Sequence, residues 1–295
     1  MLGDTSQGRC GLVAAIVGAA LTTMVASPSV FGQVNTGFPN PATWIHGPLY
    51  APPVGGSPIW NPVKVRMNQG LLTNGGTINN FSTQTAYCNI ADRTGEGSSD
   101  FTWTEVQHNS MDWVQIWSMW MYPCALNLTR ERGIVPGARI PYTNIREIEK
   151  ALDGGAMTIV LPTLDSVEEA RDVVQMVYYP PIGKRKYGPG QWQTLYANVP
   201  GGYRQTFNDN VVVWVMIETL DGSKAAYQIA QVPGIHGVFG ATSDLGNFSG
   251  FTNGQNDYDY LITNAHNAAL FAGKRACSSF AFRNRPGHFF TCTQN

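Results

Sequence analysis

Residues 211–247, VVVWVMIETLDGSKAAYQIAQVPGIHGVFGATSDLGN, constrain the fold more than any other part of the sequence. An apolar run, VVVWVMI, ends at Glu218, and a helical pattern leads to a second apolar run, HGVFG, a few residues before Asp244. This pattern predicts a strand, a helix and a second, parallel strand. Both carboxylates then follow carboxyl ends of adjacent strands, where such sheets bind ligands and metals. Either acid alone is more typical of an ordinary strand end or turn.

The same alternation of strand and helix patterns runs from about residue 75 onward. Further predicted strands are GTINNFS, DFTWTEVQ, GARIPY, MTIVLP, ACSSFAF and HFFTCTQ. Between them lie helical patterns, of which SVEEARDVVQMV begins with a capping box and SMDWVQIWSMWMYPCAL is apolar on most faces and expected to be well buried. Eight strands alternating with helices predict an α/β fold, a (β/α)₈ TIM barrel, with a doubly wound sheet as the alternative. The sequence ends at Asn295, so the barrel is expected to lack an eighth helix of its own.

Three segments are expected along the chain. Residues 1–32 have a small-residue apolar stretch after Arg9, which predicts a signal peptide and a mature protein that starts near Gln33. A retained membrane anchor and a buried helix are the alternatives. Residues 33–68 are rich in Pro, Gly and aromatic residues and predict an irregular arm, and 69–295 form the barrel domain. The protein is therefore expected to be exported, to the periplasm or outside the cell.

Composition narrows the classes of partner. Charged residues make up 13% of the chain and the formal net charge is −1, without a basic stripe, so nucleic acid is not an expected partner.

Of the five cysteines, Cys10 lies in the leader and four remain: Cys88, Cys124, Cys277 and Cys292. Their spacing fits no zinc motif, and disulfides and buried free thiols both stay open. His46, His236 and His266 are expected to be structural, and the position of His288 near the last predicted strand indicates no role.

Four polar residues are predicted at one edge of the sheet: His108, Arg139, Glu218 and Asp244. Two carboxylates with room for water and substrate oxygens suit a hard divalent cation, Mg²⁺ or Mn²⁺, with Co²⁺ as a further option. A guanidinium stabilises a carboxylate or a developing oxyanion, and a histidine moves protons near neutral pH. Together these groups are what a metal-assisted enolate reaction requires.

Several stretches carry a family resemblance: EVQHNSMDW, ARIPYTNIREIEKALDGGAMTIVLPTLDSVEEA, YYPPIGKRKYG, VMIET and GVFGATSDLG. Through them the chain resembles the HpcH/HpaI aldolases, the class II, metal-dependent pyruvate aldolases, over roughly residues 61–294. The resemblance implies a metal-dependent barrel that makes or breaks a carbon–carbon bond next to a pyruvate unit, in a homo-oligomer.

The resemblance also implies roles for single residues. Glu218 and Asp244 match the metal ligands, Arg139 the arginine at the keto or enolate oxygen, and His108 the histidine of the proton relay. Glu105 stands where the family usually has an aspartate that supports this histidine.

The chain departs from the family pattern at three places. Gln107 replaces a glutamate, Met216 replaces a glutamine that hydrogen bonds to substrate, and Ala241-Thr242-Ser243 replaces Gly-Pro-Ala.

Two classes of function follow from these observations. The first is a lyase that cleaves a 4-hydroxy-2-oxo acid to pyruvate and an aldehyde. The second is an exported oxo-acid and metal-binding protein of the same fold with weak or no turnover, which the changes at Gln107 and Met216 favour. A lyase acting on an acyl-CoA thioester is a weaker third, since no nucleotide-binding stretch is evident. The partners expected are pyruvate, an aldehyde and further copies of the chain, without nucleic acid or stable membrane insertion.

Overall fold

The structure is a computed structural model. It describes residues 59–69, 71, 73–78, 87–88, 100–122, 125, 134–188, 190–196, 203–277 and 292–294. The leader, the predicted arm up to residue 58, His46, Cys124 and His288 lie outside these residues. No helix within the described ranges is long and apolar enough to cross a membrane.

Eight strands form one sheet in which all neighbours run parallel, in the order β7-β6-β5-β4-β3-β2-β1-β8. The strands are β1 (Thr73–Ile78), β2 (Phe101–Glu105), β3 (Val135–Arg139), β4 (Thr158–Leu161), β5 (Val212–Ile217), β6 (Gly237–Gly240), β7 (Arg275–Cys277) and β8 (Cys292–Gln294). Strands adjacent in sequence are adjacent in the sheet, and β8 pairs with β1. The α/β class and the strand–helix–strand unit at residues 211–247 are confirmed.

The described helices are α1 (Pro62–Gln69), α2 (Trp113–Trp120), α3 (Ile145–Gly154), α4 (Val167–Val177), α5 (Trp192–Leu195), α6 (Tyr203–Asn210), α7 (Leu220–Gln231), α8 (Thr242–Ser249) and α9 (Asn256–Phe271). Several begin at a side chain that accepts a backbone N–H of the first turn: Asp112 for α2, Asn144 for α3, Ser166 for α4 and Thr219 for α7. Each of these caps determines the residue at which its helix begins.

The central strands are buried throughout. All six residues of β5 and all four of β4 are buried, as expected for strands covered on both faces, which read as continuous apolar runs. The core includes Trp214, whose ring meets Phe101 edge to face with centroids 5.3 Å apart. Aromatic pairs of this kind add specific geometry to apolar burial.

The structure corrects three expectations. The end of the predicted irregular arm is helical, because Pro62 stands at the first position of α1, where its missing N–H costs nothing. Helix α2 is not buried on all faces: Val114 is 77% exposed, while Ile116 and Trp120 are fully buried. Helices α6 and α8 stand where no helix is expected from the sequence.

Two cysteines whose state the sequence left open are disulfide-bonded, Cys88 and Cys277. His236 is not inside a strand but directly precedes β6. Its side chain is partly buried, and its Nδ1 accepts the N–H of Val213 at 3.1 Å. His266 lies within α9 and is buried.

A pair of buried asparagines ties α1 to the amino ends of β4 and β5. Asn210 Oδ1 accepts the backbone N–H groups of Trp60 and Asn61 at 2.7 and 3.0 Å. Asn61 Nδ2 in turn donates to the carbonyl oxygens of Met157 and Asn210 at 3.0 and 2.9 Å, and its Oδ1 accepts the N–H of Val63. Both side chains are fully buried, so each of these groups depends on the pair for its hydrogen bond.

We expect Asn210→Ala to lower the free energy of unfolding by about 2–4 kcal/mol, because it leaves the buried N–H of Asn61 and the partly buried N–H of Trp60 without an acceptor. Urea denaturation measures the change. The matched control is Asn267→Ala, which alters an exposed asparagine of α9 and is expected to change stability by no more than about 0.5 kcal/mol. Equal effects of the two substitutions would contradict this role of the buried pair.

Candidate active site

Five predicted site residues lie at the carboxyl edge of the sheet. Glu105 is the last residue of β2 and Arg139 the last of β3, and the two positions pair across the ladder. Glu218 directly follows β5, and Asp244 lies in the first turn of α8, just beyond β6. His108 follows β2 by three residues. Since parallel strands end at one edge, this topology brings together residues far apart in sequence.

A cavity of about 270 Å³ opens at this edge. Its lining residues are Trp103, His108, Arg139, Met216, Phe239, Ala241, Thr242, Ser243 and Asp244. Three of the predicted site residues, His108, Arg139 and Asp244, therefore face one common space. Glu105 and Glu218 are buried beside it, at 5% and 3% exposure.

Glu105 holds Arg139 in place. Arg139 Nε donates to Glu105 Oε2 at 2.6 Å, and both side chains are nearly buried. The same oxygen accepts the indole N–H of Trp103 at 3.2 Å. On its other face, Arg139 Nη1 lies 3.9 Å from the sulfur of Met216. A charge-assisted contact this short and shielded fixes the guanidinium plane at the cavity wall.

The support that Glu105 gives to His108 differs from the interaction implied by the family pattern. Glu105 Oε1 accepts the backbone N–H groups of Gln107 and His108, at 3.0 and 3.3 Å. Within the described residues, no hydrogen bond joins the carboxylate to the imidazole. Glu105 therefore anchors the turn that carries His108, and the ring faces the cavity. The proton-relay role of His108 stays a prediction.

Glu218 is held by a residue that sequence reasoning missed. The hydroxyl of Thr163, two residues after β4, donates to Glu218 Oε2. Thr163 has a φ of 47°, a left-handed conformation that a β-branched residue rarely adopts. Strained backbone of this kind persists only where surrounding structure enforces it, and it concentrates at functional sites. The only sequence signal for Thr163 is its place after a predicted strand, on the same edge as the other residues.

The electrostatics of the two carboxylates suit a cation. Burial raises the pKa of Glu218, the negative charge of Asp244 raises it further, and the Thr163 hydrogen bond and Arg139 oppose these effects. Arg139 is already paired with Glu105, and the contacts described for Asp244 include no ion pair. A divalent cation between the two oxygen ligands would relieve this repulsion and desolvation.

Few metal-ligating side chains lie at this site, and their number and type indicate which cation fits it. Within the described residues, no group of three or more His, Cys, Asp or Glu side chains could hold a metal. Glu218 and Asp244 would supply two oxygen ligands, and water or substrate would fill the other positions. Mg²⁺ is commonly bound in this way, through one or two carboxylates and several waters, whereas Zn²⁺ sites use three or four nitrogen and sulfur ligands.

The basic turn at 184–186 contributes no group to this cavity. Lys184 and Lys186 are exposed. The side chain of Arg185 is fully buried, pairs with Asp153 at 2.6 Å and stacks over the ring of Phe207 at 4.2 Å. Arg185 thus has a structural role between α3 and α6.

The sequence profile of the HpcH/HpaI aldolase/citrate lyase family matches residues 126–282, just over half of the chain. The chain belongs to this family. The matched region contains Arg139, Glu218 and Asp244 and begins after Glu105 and His108. Family membership, which the sequence motifs implied, is confirmed.

Curated relatives in the family share part of the chain. It is 39% identical to a hydroxypyruvate/pyruvate aldolase of Roseovarius nubinhibens over 111 residues, which cover 37% of this chain and 43% of the relative. It is 27% identical to a 2-dehydro-3,6-dideoxy-6-sulfogluconate aldolase of Pseudomonas putida over 56% of this chain and 62% of the relative. The chain thus spans about two-fifths to three-fifths of the length of these relatives.

Solved structures share the fold of this chain. A HpcH/HpaI aldolase/citrate lyase family protein from Burkholderia cenocepacia superposes with a TM-score of 0.67 at 21% identity, over 79% of this chain and 92% of that one. Macrophomate synthase superposes with a TM-score of 0.62 at 21% identity, over 86% of this chain and 89% of that one. At such identities the likeness concerns the fold alone.

We expect Glu105→Gln to lower the free energy of unfolding by about 3 kcal/mol, because it leaves the nearly buried Arg139 guanidinium without a charged partner. The matched control is Glu168→Gln, which breaks the exposed pair between Glu168 and Arg171 and is expected to change stability by less than about 0.5 kcal/mol. Chemical denaturation of both variants at pH 7 measures the difference. A Glu105→Gln variant as stable as the control would show that the ion pair does not hold this edge together.

Proposed function

We propose that the chain is a metal-dependent aldolase that cleaves or forms the carbon–carbon bond of a 4-hydroxy-2-oxo acid, giving pyruvate and an aldehyde. The observation that carries the proposal is the meeting of Asp244, Arg139 and His108 at one cavity, with Glu218 buried beside it. This set combines oxygen ligands, a fixed cation and a proton carrier, which are the groups that enolate chemistry needs.

The relatives support this class of reaction. Two of them are a hydroxypyruvate/pyruvate aldolase and, at 34% identity over 110 residues, a 4-hydroxy-2-oxo-heptane-1,7-dioate aldolase of Escherichia coli. Both are named as aldolases of oxo acids. The extension to this chain rests on its own cavity and on the positions of Arg139, Glu218 and Asp244.

Glu218 and Asp244 would hold the metal. When bound, a divalent cation supplies positive charge that binds the oxo acid and stabilises the negative charge of its enolate. The chain supports this charge with two carboxylates on adjacent strand ends and with the Thr163 hydrogen bond, which holds Glu218 in one orientation. Mg²⁺ or Mn²⁺ fits these oxygen ligands.

Arg139 stabilises the developing oxyanion. Its Nε is occupied by Glu105, so the orientation of the guanidinium is set before substrate binds. Arg139 lines the cavity, so its remaining N–H groups can donate to the keto oxygen as negative charge accumulates there. A preorganised donor of this kind typically contributes a factor of about 10²–10³ to the rate.

His108 moves the proton of the substrate hydroxyl group. In the cleavage direction, its imidazole takes the proton from the oxygen at C4 as the bond between C3 and C4 breaks and the aldehyde forms. Trp103, Met216 and Phe239 line the same cavity and are nearly fully buried, so part of its wall is apolar.

We further propose that the sheet closes as a (β/α)₈ barrel. The strand order is that of a barrel opened between β7 and β8, since every other neighbour pair of the cyclic order is present. The superposition on solved structures of the family supports this closure.

The enzymatic proposal is tested without knowledge of the aldehyde. A protein that stabilises the pyruvate enolate exchanges the methyl protons of pyruvate with solvent, so proton NMR in D₂O should show metal-dependent loss of the methyl signal. We expect chelation to abolish the exchange and Arg139→Met to slow it about 100-fold or more. The matched control is Arg171→Met, an exposed arginine of α4, which should leave the rate unchanged.

The metal ligands are tested in the same assay. Glu218→Gln and Asp244→Asn should each abolish both metal binding, followed by calorimetry, and exchange. Asp257→Asn is the matched control, because Asp257 is an exposed carboxylate in the first turn of α9, as Asp244 is in the first turn of α8. Metal-loaded wild-type protein that binds pyruvate but shows no exchange above metal alone would refute the aldolase and favour an oxo-acid binding protein.

We also propose that the protein is exported. The apolar leader and the disulfide bonds at Cys88 and Cys277 support this, because disulfides persist in oxidising compartments. Protein isolated from its native host should begin near Gln33 by amino-terminal sequencing. A soluble protein that still carries Met1 and the whole leader would refute the proposal.

A further inference from the structure

A second, larger cavity of about 330 Å³ lies at the opposite end of the sheet from the aldolase site. Its polar lining comes from segments that lead into strands: Lys64 in α1 before β1, Asp209 in α6 before β5, His236 before β6, and Lys274 and Arg275 at the start of β7. A volume of this size falls within the range of small-molecule sites, about 300–1,000 Å³. None of these residues takes part in the proposed aldolase reaction.

The charges around this cavity are mostly positive. Lys64, Lys274 and Arg275 face it against the single carboxylate of Asp209. Lys64 is buried, and within the described residues neither its ammonium group nor that of Lys274 makes an ion pair within 4 Å. Among the described lining residues, these two buried or half-buried lysines face a single carboxylate, and such an excess of shielded positive charge destabilises the folded chain unless an anion joins it.

The titration of these groups agrees with a deficit of negative charge. Burial lowers the pKa of Lys64 to about 8, Asp209 opposes this effect, and the charge of Lys274 lowers the pKa further. Burial also lowers the pKa of Lys274. An anion between the two ammonium groups would raise both pKa values toward their ordinary range.

His236 adds a neutral donor. Burial, followed by the charges of Lys64 and Lys274, lowers the pKa of His236 well below its usual value, so the imidazole is neutral at pH 7. Its Nδ1 accepts the N–H of Val213, which assigns the ring proton to Nε2. His236 lines the cavity and can therefore donate one hydrogen bond to a ligand there.

The wall that carries Lys64 is fixed by buried contacts. The Asn61–Asn210 pair holds the start of α1 against β4 and β5. At the other end of the helix, Arg275 Nη2 donates to the carbonyl oxygen of Met67. The donors therefore stand on rigid elements, which lowers the entropy lost when a ligand is bound.

We propose that this cavity is a binding site for a small oxyanion, a phosphate or carboxylate group, held by Lys64, Lys274 and the Nε2–H of His236. Ammonium and imidazole donors converge on the space, and they match the acceptor oxygens of such an anion. The site lies at the amino ends of the strands, so it binds its ligand independently of the metal and the oxo acid at the carboxyl ends.

Inorganic phosphate and citrate are the probes, and each is compared with chloride at equal ionic strength and pH 7 on metal-free protein. We expect one of them to raise the melting temperature, since a ligand that binds only the folded state stabilises it. A phosphate response indicates a phosphorylated ligand and a citrate response a polycarboxylate. Calorimetry with the responding probe should show affinity reduced about tenfold or more by Lys64→Met and by Lys274→Met.

Lys224→Met is the matched control, because it removes the same charge from a lysine that is 75% exposed on α7. It should leave probe affinity unchanged. Lys64→Met should also be at least as stable as the wild type in chloride, because it removes a buried charge, so loss of binding cannot be ascribed to unfolding. A wild-type protein that responds to neither probe beyond chloride, or lysine variants that bind as tightly as the control, would overturn the proposal.

Discussion

The parallel ladder is the constraint on which the rest of the structure depends. Hydrogen-bonded parallel neighbours require a crossover between them, and the described crossovers from β2 to β7 contain helices. All strands therefore begin at one end of the sheet and finish at the other. Residues as distant as Glu105 and Asp244 reach the same edge because each follows the carboxyl end of a strand, and no local contact between their segments is needed.

Hydrogen bonds hold the charged side chains at the carboxyl edge of the sheet in fixed orientations. Both carboxylate oxygens of Glu105 accept hydrogen bonds, one from the guanidinium of Arg139 and the other from the backbone of the turn that carries His108. Glu218 is oriented by Thr163, whose left-handed backbone is maintained by the surrounding fold. In both arrangements the side chains are ordered when the protein folds, so substrate binding does not have to order them. Preorganised electrostatic catalysis requires this.

The two ends of the sheet differ in charge. At the carboxyl edge, the negative charge of Asp244 raises the pKa of Glu218, and the proposed cation would bind between these two carboxylates. At the amino edge, the positive charge of Lys274 lowers the pKa of Lys64, and the proposed oxyanion would bind between these two lysines. Because each group is partly or wholly shielded from water, its repulsion is weakly screened, and both ends hold electrostatic energy that a ligand of the opposite sign can release.

The sequence by itself determined the type of most elements and the edge on which Arg139, Glu218 and Asp244 lie. Apolar runs such as VVWVMI and caps such as Ser166 report local backbone preference and burial, which depend on nearby residues. The family motifs add the identity of these three side chains.

Only the tertiary structure decided which groups satisfy one another. The Asn61–Asn210 pair joins residues 149 positions apart, Glu105 meets an arginine 34 positions away, and α1 and α8 form where periodicity is weak. Many polar side chains in the sequence could form such hydrogen bonds. Packing across the sheet determines which of them lie close enough to do so. Local sequence patterns therefore predicted where the site lies, and long-range packing determined which hydrogen bonds and ion pairs orient its residues.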